Sequence, residues 1–284
     1  MKFTKLHGAG NDFILVESND LNRDWSGLAQ KMCDRHFGIG ADGLLVLLPS
    51  KVADFKMREF NTDGSEAEAC GNGLRCLLKY IIETKPAKAA APEISVETMA
   101  GVRKFRPQRS GGKATKLQVG MGTPRFDARE IPVDIDPAKA ARVKSMLNYF
   151  ITVGGKELLL NFVSMGNPHA VYFWQKPVAE FPLSQVGPEV EHHRIFPRRT
   201  NFEVARVIDR NQIEVRGWER GVGETLACGT GSCAVAVAAQ LNGYVDSPVK
   251  IKLPGGILDV NWDGKGEVLL GGPAEIVFTG EWQD

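Results

Sequence analysis

Two cysteines are the residues of this chain whose setting most plainly invites chemistry. Cys70 lies in ACGNG and Cys228, 158 positions later, in ACGTG. A cysteine followed by Gly-polar-Gly at the entrance to a helix sits beside unsatisfied backbone N–H groups and the positive end of the helix dipole. Both stabilise a thiolate, so a thiol that ordinarily titrates near ~8.5 can be brought to where thiol and thiolate are both accessible at neutral pH. The same N–H groups can hold a carboxylate, because a glycine-rich helix start lets an anion approach closely. The pair therefore suggests an amino or hydroxy acid whose α-carboxylate is clamped between two helix N-termini, with one sulfur on either face of Cα. One thiolate would remove the α-proton while the opposite thiol delivers another. That inverts the centre without pyridoxal phosphate, and the dipoles stabilise the charge that moves into the carboxylate as the carbanion forms. No cofactor is expected.

Both motifs belong to a longer repeat. Arg58 to Gly73 reads REFNTDGSEAEACGNG and Arg216 to Gly231 reads RGWERGVGETLACGTG. The ungapped offset pairs Arg58 with Arg216, Phe60 with Trp218, Glu66 with Glu224 and Gly73 with Gly231. Duplication is the simplest account, and a duplicated fold would set its equivalent cysteines about a pseudo-twofold axis. An isolated cysteine is more often a small packing residue, the reading kept for Cys33, Cys76 and Cys233. A disulfide enzyme lacks its Cys-x-x-Cys. The five histidines, His7, His36, His169, His192 and His193, show no zinc-ligand spacing with the cysteines, so no metal is expected. A cysteine hydrolase with Cys70 or Cys228 as nucleophile and His169 as base is chemically feasible. It leaves the second cysteine unexplained.

Those thiols have to be held by an ordinary globular scaffold: 284 residues, 43% hydrophobic and 24% charged, enough for one large domain or two medium ones. A net charge of +1, with no Lys/Arg block, argues against nucleic acid or an anionic membrane as partner. The opening MKFTKL reads as a strand and not as a signal peptide, and no apolar run approaches the ~18 residues of a membrane span. Five cysteines without the spacing of a secreted disulfide framework suit a reducing cytoplasm.

Alternating, β-branched stretches predict strands over residues 2–17, 54–61, 93–106 and 116–121, and again over 151–174, 201–218 and 249–281. Helices are expected at 25–37, 71–83, 137–149 and 229–243. The second of these puts Leu74, Leu77, Leu78 and Ile81 on one stripe, whereas SCAVAVAAQL in the last is apolar nearly all round and must be surrounded by protein. Each half then reads as a curved, mainly antiparallel sheet or barrel around a central helix, an α+β fold. The boundary is expected near Pro124 to Asp136, giving lobes of 1–127 (with 274–284 returning to it) and 128–273. The stretch from Lys85 to Pro92 reads as a loop insertion.

The motifs KLHGAGNDF, FNTDGSEAEACGNGLRC, MGNPHAV, TNFEVA and WERGVGETLACGTGSCA, closed by GPAEIVFTGEW, together resemble the diaminopimelate epimerase family over nearly the whole chain. The resemblance implies two pseudo-symmetric lobes with the active site in the cleft between them, and a homodimer. It also implies cofactor-independent interconversion of LL- and meso-2,6-diaminopimelate, a step toward lysine and cell-wall precursor. By it, Cys70 and Cys228 are the acid/base pair, and Gly71-Asn72 with Gly229-Thr230 hold the reacting carboxylate. Asn11, Asn61, Asn167, Asn201, Glu219 and Arg220 match substrate-contacting positions, with Arg220 suited to the distal carboxylate and Glu219 to an ammonium. His169 and Glu219 would tune the cysteines. The asparagines follow or flank glycines often enough that turn formation is the plainer alternative for them. Gly43 stands where some family members have glutamine, and it is the repeat partner of Asn201. Related racemases of proline or hydroxyproline share the two-thiol logic. A non-catalytic amino-acid binding protein would not require a thiol on each face.

Overall fold

The computed structural model of the chain describes residues 1–67, 71–105, 108–110, 113–136 and 141–283, and only the backbone of 89, 108–110, 113–117 and 143. The chain divides into two compact units, Met1–Gly120 with Gly271–Asp284, and Met121–Leu270.

The first unit opens with a hairpin, β1 (Lys2–Gly8) and β2 (Asn11–Glu17). Its two-residue turn puts Ala9 and Gly10 at φ 54° and 84°, the doubly positive turn that matches strand twist, and it delivers Asn11 as the first residue of β2. Helix α1 (Trp25–Cys33) follows, started by the Asp24 carboxylate, which accepts from the Gly27 N–H. Then come β3 (Gly43–Leu48), β4 (Phe55–Asn61), β5 (Glu66–Ala67) and helix α2 (Gly71–Thr84). A short α3 (Pro86–Ala89) leads to β6 (Ile94–Thr98), β7 (Gly101–Phe105), β8 (Gln108–Ser110) and β9 (Lys113–Gly120). The β2–β3 and β4–β6 pairings are parallel, whereas β1–β2, β3–β4, β4–β5, β6–β7, β7–β9 and β8–β9 are antiparallel.

The second unit carries β10 (Ala141–Val143), β11 (Met146–Val153), β12 (Lys156–Ser164), β13 (Pro168–Phe173) and helix α4 (Leu183–Glu191). Next are β14 (Asn201–Asp209), β15 (Gln212–Glu219), β16 (Gly223–Thr225) and helix α5 (Gly229–Leu241). It ends with β17 (Val249–Leu253) and β18 (Gly256–Asn261), and β19 (Leu269–Gly272) crosses its boundary at Leu270. The last strand, β20 (Glu275–Glu281), returns to the first unit and pairs antiparallel with β1.

The repeat extends to whole elements. β2, β3, β4, β5 and α2 have counterparts in β13, β14, β15, β16 and α5 at the same offset, with the same order of parallel and antiparallel pairings. Each helix is enclosed by its own unit's strands: α2 packs against β1, β2, β3, β9 and β20, and α5 against β12, β13, β14, β15, β17 and β18. The sequence difference between the helices has a direct consequence. Every residue of α5 but Thr230 and Gln240 is buried, whereas α2 buries its N-terminal half and a stripe ending at Ile81.

Arg58 grips Glu66 through two hydrogen bonds of 2.7 and 2.8 Å, and Arg216 grips Glu224 at 2.8 and 3.0 Å. The conserved Arg/Glu pairs of the repeat thus tie β4 to β5 and β15 to β16, the short strand that leads into each helix. Bidentate pairs of this kind fix geometry as well as charge.

The helix expected over 137–149 is absent in its described part. Residues 141–143 and 146–153 form a hairpin, because MLNYFITV carries β-branched and aromatic residues whose apolar side, with Leu147, Ile151 and Val153, faces the core; residues 137–140 lie outside the described residues. Helix α4 was not expected, since Gly187 and Pro188 lie within it. Gly187 is needed there: a Cβ would fall 2.6 Å from the Trp218 ring. Helix α1 also stops at Cys33, four residues earlier than its expected end.

Candidate active site

Cys228 is the N-cap residue of α5, extended at φ −114° and ψ 119°, a free thiol only 7% exposed. Its Sγ lies 3.6 Å from the Thr230 hydroxyl, and it hydrogen-bonds to the Glu219 carboxylate and the Gly231 N–H. Glu219 ends β15 and accepts from the Thr225 hydroxyl at 2.6 Å. From Thr230 the contacts run inward: Asn167 Nδ2 donates to its Oγ1 at 3.3 Å, Asn167 Oδ1 meets His169 Nε2 at 2.9 Å, and His169 Nδ1 meets Glu203 Oε1 at 2.7 Å. His169 on β13 and Glu203 on β14 are fully buried.

Burial pushes the Cys228 thiol well above its ordinary value, and the charges of Glu219 and Glu203 add to that. The Thr230 and Gly231 hydrogen bonds oppose it. The expectation of a thiolate lowered by the helix start is therefore corrected: in this packing Cys228 rests as the acid. Burial also raises Glu219, against the Thr225 and Cys228 hydrogen bonds.

Asn201, the first residue of β14, donates to the Pro168 carbonyl at 2.9 Å and accepts from the Arg220 N–H at 2.9 Å. It thereby sets the corner on which Arg220 is exposed, the guanidinium donating to the Arg198 carbonyl. Glu191 on α4, not anticipated from sequence, holds the same corner by accepting from Trp218 Nε1 at 2.7 Å and the Gly221 N–H at 2.9 Å.

In the first unit, Cys70 lies outside the described residues. Gly71 and Asn72 open α2 and are buried. Asn72 Nδ2 donates to Asn11 Oδ1 at 3.0 Å and its Oδ1 accepts from the buried Arg75 at 2.6 Å. Asn11 donates in turn to Asp42 at 2.8 Å. Asn61, exposed at the end of β4, donates to the Ser65 hydroxyl at 2.9 Å. Gly43 opens β3 opposite Asn61, and a Cβ there would lie 2.9 Å from the Phe60 carbonyl, so the glycine suits this backbone. Asn11, Asn72 and Gly71 gather at one helix start, and Asn167, His169, Glu219, Cys228, Gly229 and Thr230 at the other. Glu203 was missed, although a glutamate among the apolar residues of NFEVARVID signals a buried charge with a partner.

Among the described residues, no group of three or more His, Cys, Asp or Glu is placed to hold a metal ion, and no helix is long and apolar enough to cross a membrane.

The model of the diaminopimelate epimerase family matches residues 3–126 and 161–277. The diaminopimelate epimerase of Pelotomaculum thermopropionicum is 48% identical over 285 residues, covering 99% of each chain. That of Acetivibrio thermocellus is 47% identical over 283 residues, covering 99% of this chain and 98% of its own. Among solved structures, a PhzF-family phenazine biosynthesis protein of Bacillus anthracis aligns over 100% of this chain and 99% of its own, at a TM-score of 0.68 and 16% identity. A probable proline racemase from Agrobacterium radiobacter aligns over 99% and 92%, at 0.67 and 13% identity. These two likenesses show the α+β fold. The family model and the relatives define the chain as an enzyme of the isomerase class, an epimerase. Within that class it belongs to the diaminopimelate epimerase family.

Proposed function

We propose that the protein interconverts LL- and meso-2,6-diaminopimelate by proton exchange at one Cα, without a cofactor, Cys70 and Cys228 serving as the two bases. The observation that carries this reading is the setting of Cys228: a buried thiol at a helix N-cap, held by Glu219, Thr230 and the Gly231 N–H.

In that packing the thiol form waits as proton donor, and the Gly231 N–H and Thr230 hydroxyl stabilise the sulfur once the proton has left. Cys70, the residue before α2, takes the opposite role on the other face of Cα. Gly71-Asn72 and Gly229-Thr230 offer the backbone N–H groups of two helix starts to the reacting carboxylate, and these stabilise the charge it gains in the carbanion. Asn11, Asn61, Asn167 and Asn201 supply amide contacts to a substrate with a polar far end. Arg220 pairs with the distal carboxylate and Glu219 accepts from an ammonium. His169 and Glu219 tune the thiols. The reading further places the protein in the cytoplasm as a homodimer, in the supply of lysine and peptidoglycan precursor.

Purified protein given LL-diaminopimelate and no added cofactor should form the meso isomer, and Cys70→Ala or Cys228→Ala should each abolish this. Full activity in either variant would remove the two-base mechanism. Turnover of proline with none of diaminopimelate would replace the substrate.

A further inference from the structure

The reading above leaves one buried charge without a task. Glu203 is 1% exposed, its Oε1 is spent on His169, and among the described residues its Oε2 is buried without a hydrogen-bond partner. The fold makes room for it: a Cβ on Gly231, the third residue of α5, would lie 2.6 Å from Glu203 Oε1. The first unit buries a carboxylate against the same helix position from the other strand. A Cβ on Gly73 would lie 2.9 Å from Glu59 Oε2. Leu45 pairs with Glu59 there, whereas Glu203 pairs with Gly217 here. The two glutamates are thus not repeat partners, and each unit has its own.

Glu203 fixes the hydrogen-bond sense of everything beyond it. An ionised carboxylate only accepts, so His169 Nδ1 carries a proton, and Nε2 is the end that changes. When Nε2 is protonated it donates to Asn167 Oδ1, Asn167 Nδ2 donates to Thr230, and the Thr230 hydroxyl proton is available to a Cys228 thiolate. When Nε2 is bare it requires a donor. The Asn167 amide then turns over, its Nδ2 donates to Nε2 and its Oδ1 accepts from the Thr230 hydroxyl, and sulfur loses that donor, which favours the thiol.

We propose that Glu203 is a positioning residue which, through His169, Asn167 and Thr230, couples the charge of the buried imidazole to the ionisation of Cys228. Imidazolium eases the ionisation that burial opposes and a neutral imidazole withdraws that help, so the sulfur can give up and regain a proton without leaving an uncompensated buried charge. Among the described residues, the titratable groups around His169 are Glu203 from β14 and Glu219 from β15, with Cys228 at the start of α5 reached through Asn167 and Thr230, while β12 faces it with Val163. The use of this coupling in catalysis rests on the epimerase reading; the coupling itself does not.

The test needs no substrate. In a Cys70→Ser background, the pH dependence of Cys228 alkylation by iodoacetamide reports its thiolate fraction, the other three cysteines being at most 2% exposed. As a mere nearby negative charge, Glu203 would raise the thiol's midpoint, and Glu203→Gln would lower it. The coupling predicts the opposite sign: Glu203→Gln moves the profile to higher pH, with alkylation at neutral pH slower by about 10-fold, one pH unit of midpoint. Thr230→Val does the same, the double variant is no worse than either single one, and Glu203→Asp, which keeps the acceptor, restores most of the rate. A midpoint lowered by Glu203→Gln, or additive effects, would overturn the proposal. Nitrogen-15 spectra of labelled histidine give a second readout, His169 being assigned through His169→Gln. Nδ1 should stay protonated at neutral pH in the parent and lose that preference in Glu203→Gln; a bare Nδ1 in the parent would refute it. A parent that fails to epimerise diaminopimelate would sink the epimerase reading and leave these outcomes as decisive as before.

Discussion

Cys228 and its neighbours show how a residue's chemistry is set by what surrounds it. The helix start at α5 offers the sulfur N–H groups, yet burial, with the Glu219 carboxylate beside it, outweighs them and keeps it a thiol. Glu219 acts on it directly, so Glu219→Gln should remove a raising charge and move the Cys228 alkylation profile to lower pH, opposite in sign to the effect proposed for Glu203→Gln. An unmoved profile would mean that Glu219 is not ionised when the thiol titrates. The Cys-Gly motifs were legible in the sequence because their types and spacing are tied to chemistry, whereas His169 and Glu219 were singled out only through the family resemblance of the motifs that hold them. The direction of the Cys228 shift was not legible, since burial is its largest cause and only the fold closes the protein around the sulfur.

At the scale of elements, the glycines of the motif have a task beyond anion binding. Gly73 and Gly231 leave the space that Glu59 and Glu203 occupy. Gly231→Ala should therefore overpack the site at a cost of about 1–3 kcal/mol, seen as a lower denaturant midpoint, together with slower turnover; a variant as stable as the parent would show that Glu203 yields easily. The strands and the helices α2 and α5 were legible from alternation and from the apolar stripes. The hairpin of β10 and β11 was misread as a helix because propensity over a short apolar run does not separate the two, and pairing with β12 decides it. Helix α4 was hidden by Gly187 and Pro188, and the glycine is explained only by the Trp218 ring packed against it.

For the whole molecule, one supersecondary unit used twice supplies two helix starts, and the mismatches between the copies supply what differs about them. Asn61 stands where the other copy has Glu219, and Gly43 where it has Asn201. The supporting charges differ too. In the first unit Lys5, Arg35, Asp12 and Asp42 form a network behind Asn11. Burial pushes Asp12 up, but its hydrogen bonds to Arg35 and Lys5 prevail and hold it at about 2. Lys88 and Ser95 hold Asp54 at about 2 as well. A depressed carboxylate contributes stability that is complete above its ordinary value, near 3.8, and is lost as pH falls through the folded value. Stability against denaturant should thus be level above about pH 5 and fall steeply between about 4 and 2, with a shallower fall in Asp12→Asn.

The central claim is that two cysteines share the proton transfer, one on each face of Cα. Epimerisation of LL-diaminopimelate in deuterium oxide, stopped early and analysed by mass spectrometry, tests it most directly. Two bases require that the meso product carries deuterium at the inverted centre while recovered LL substrate stays unlabelled. Equal early labelling of substrate and product would mean a single base serving both faces, and would contradict the account.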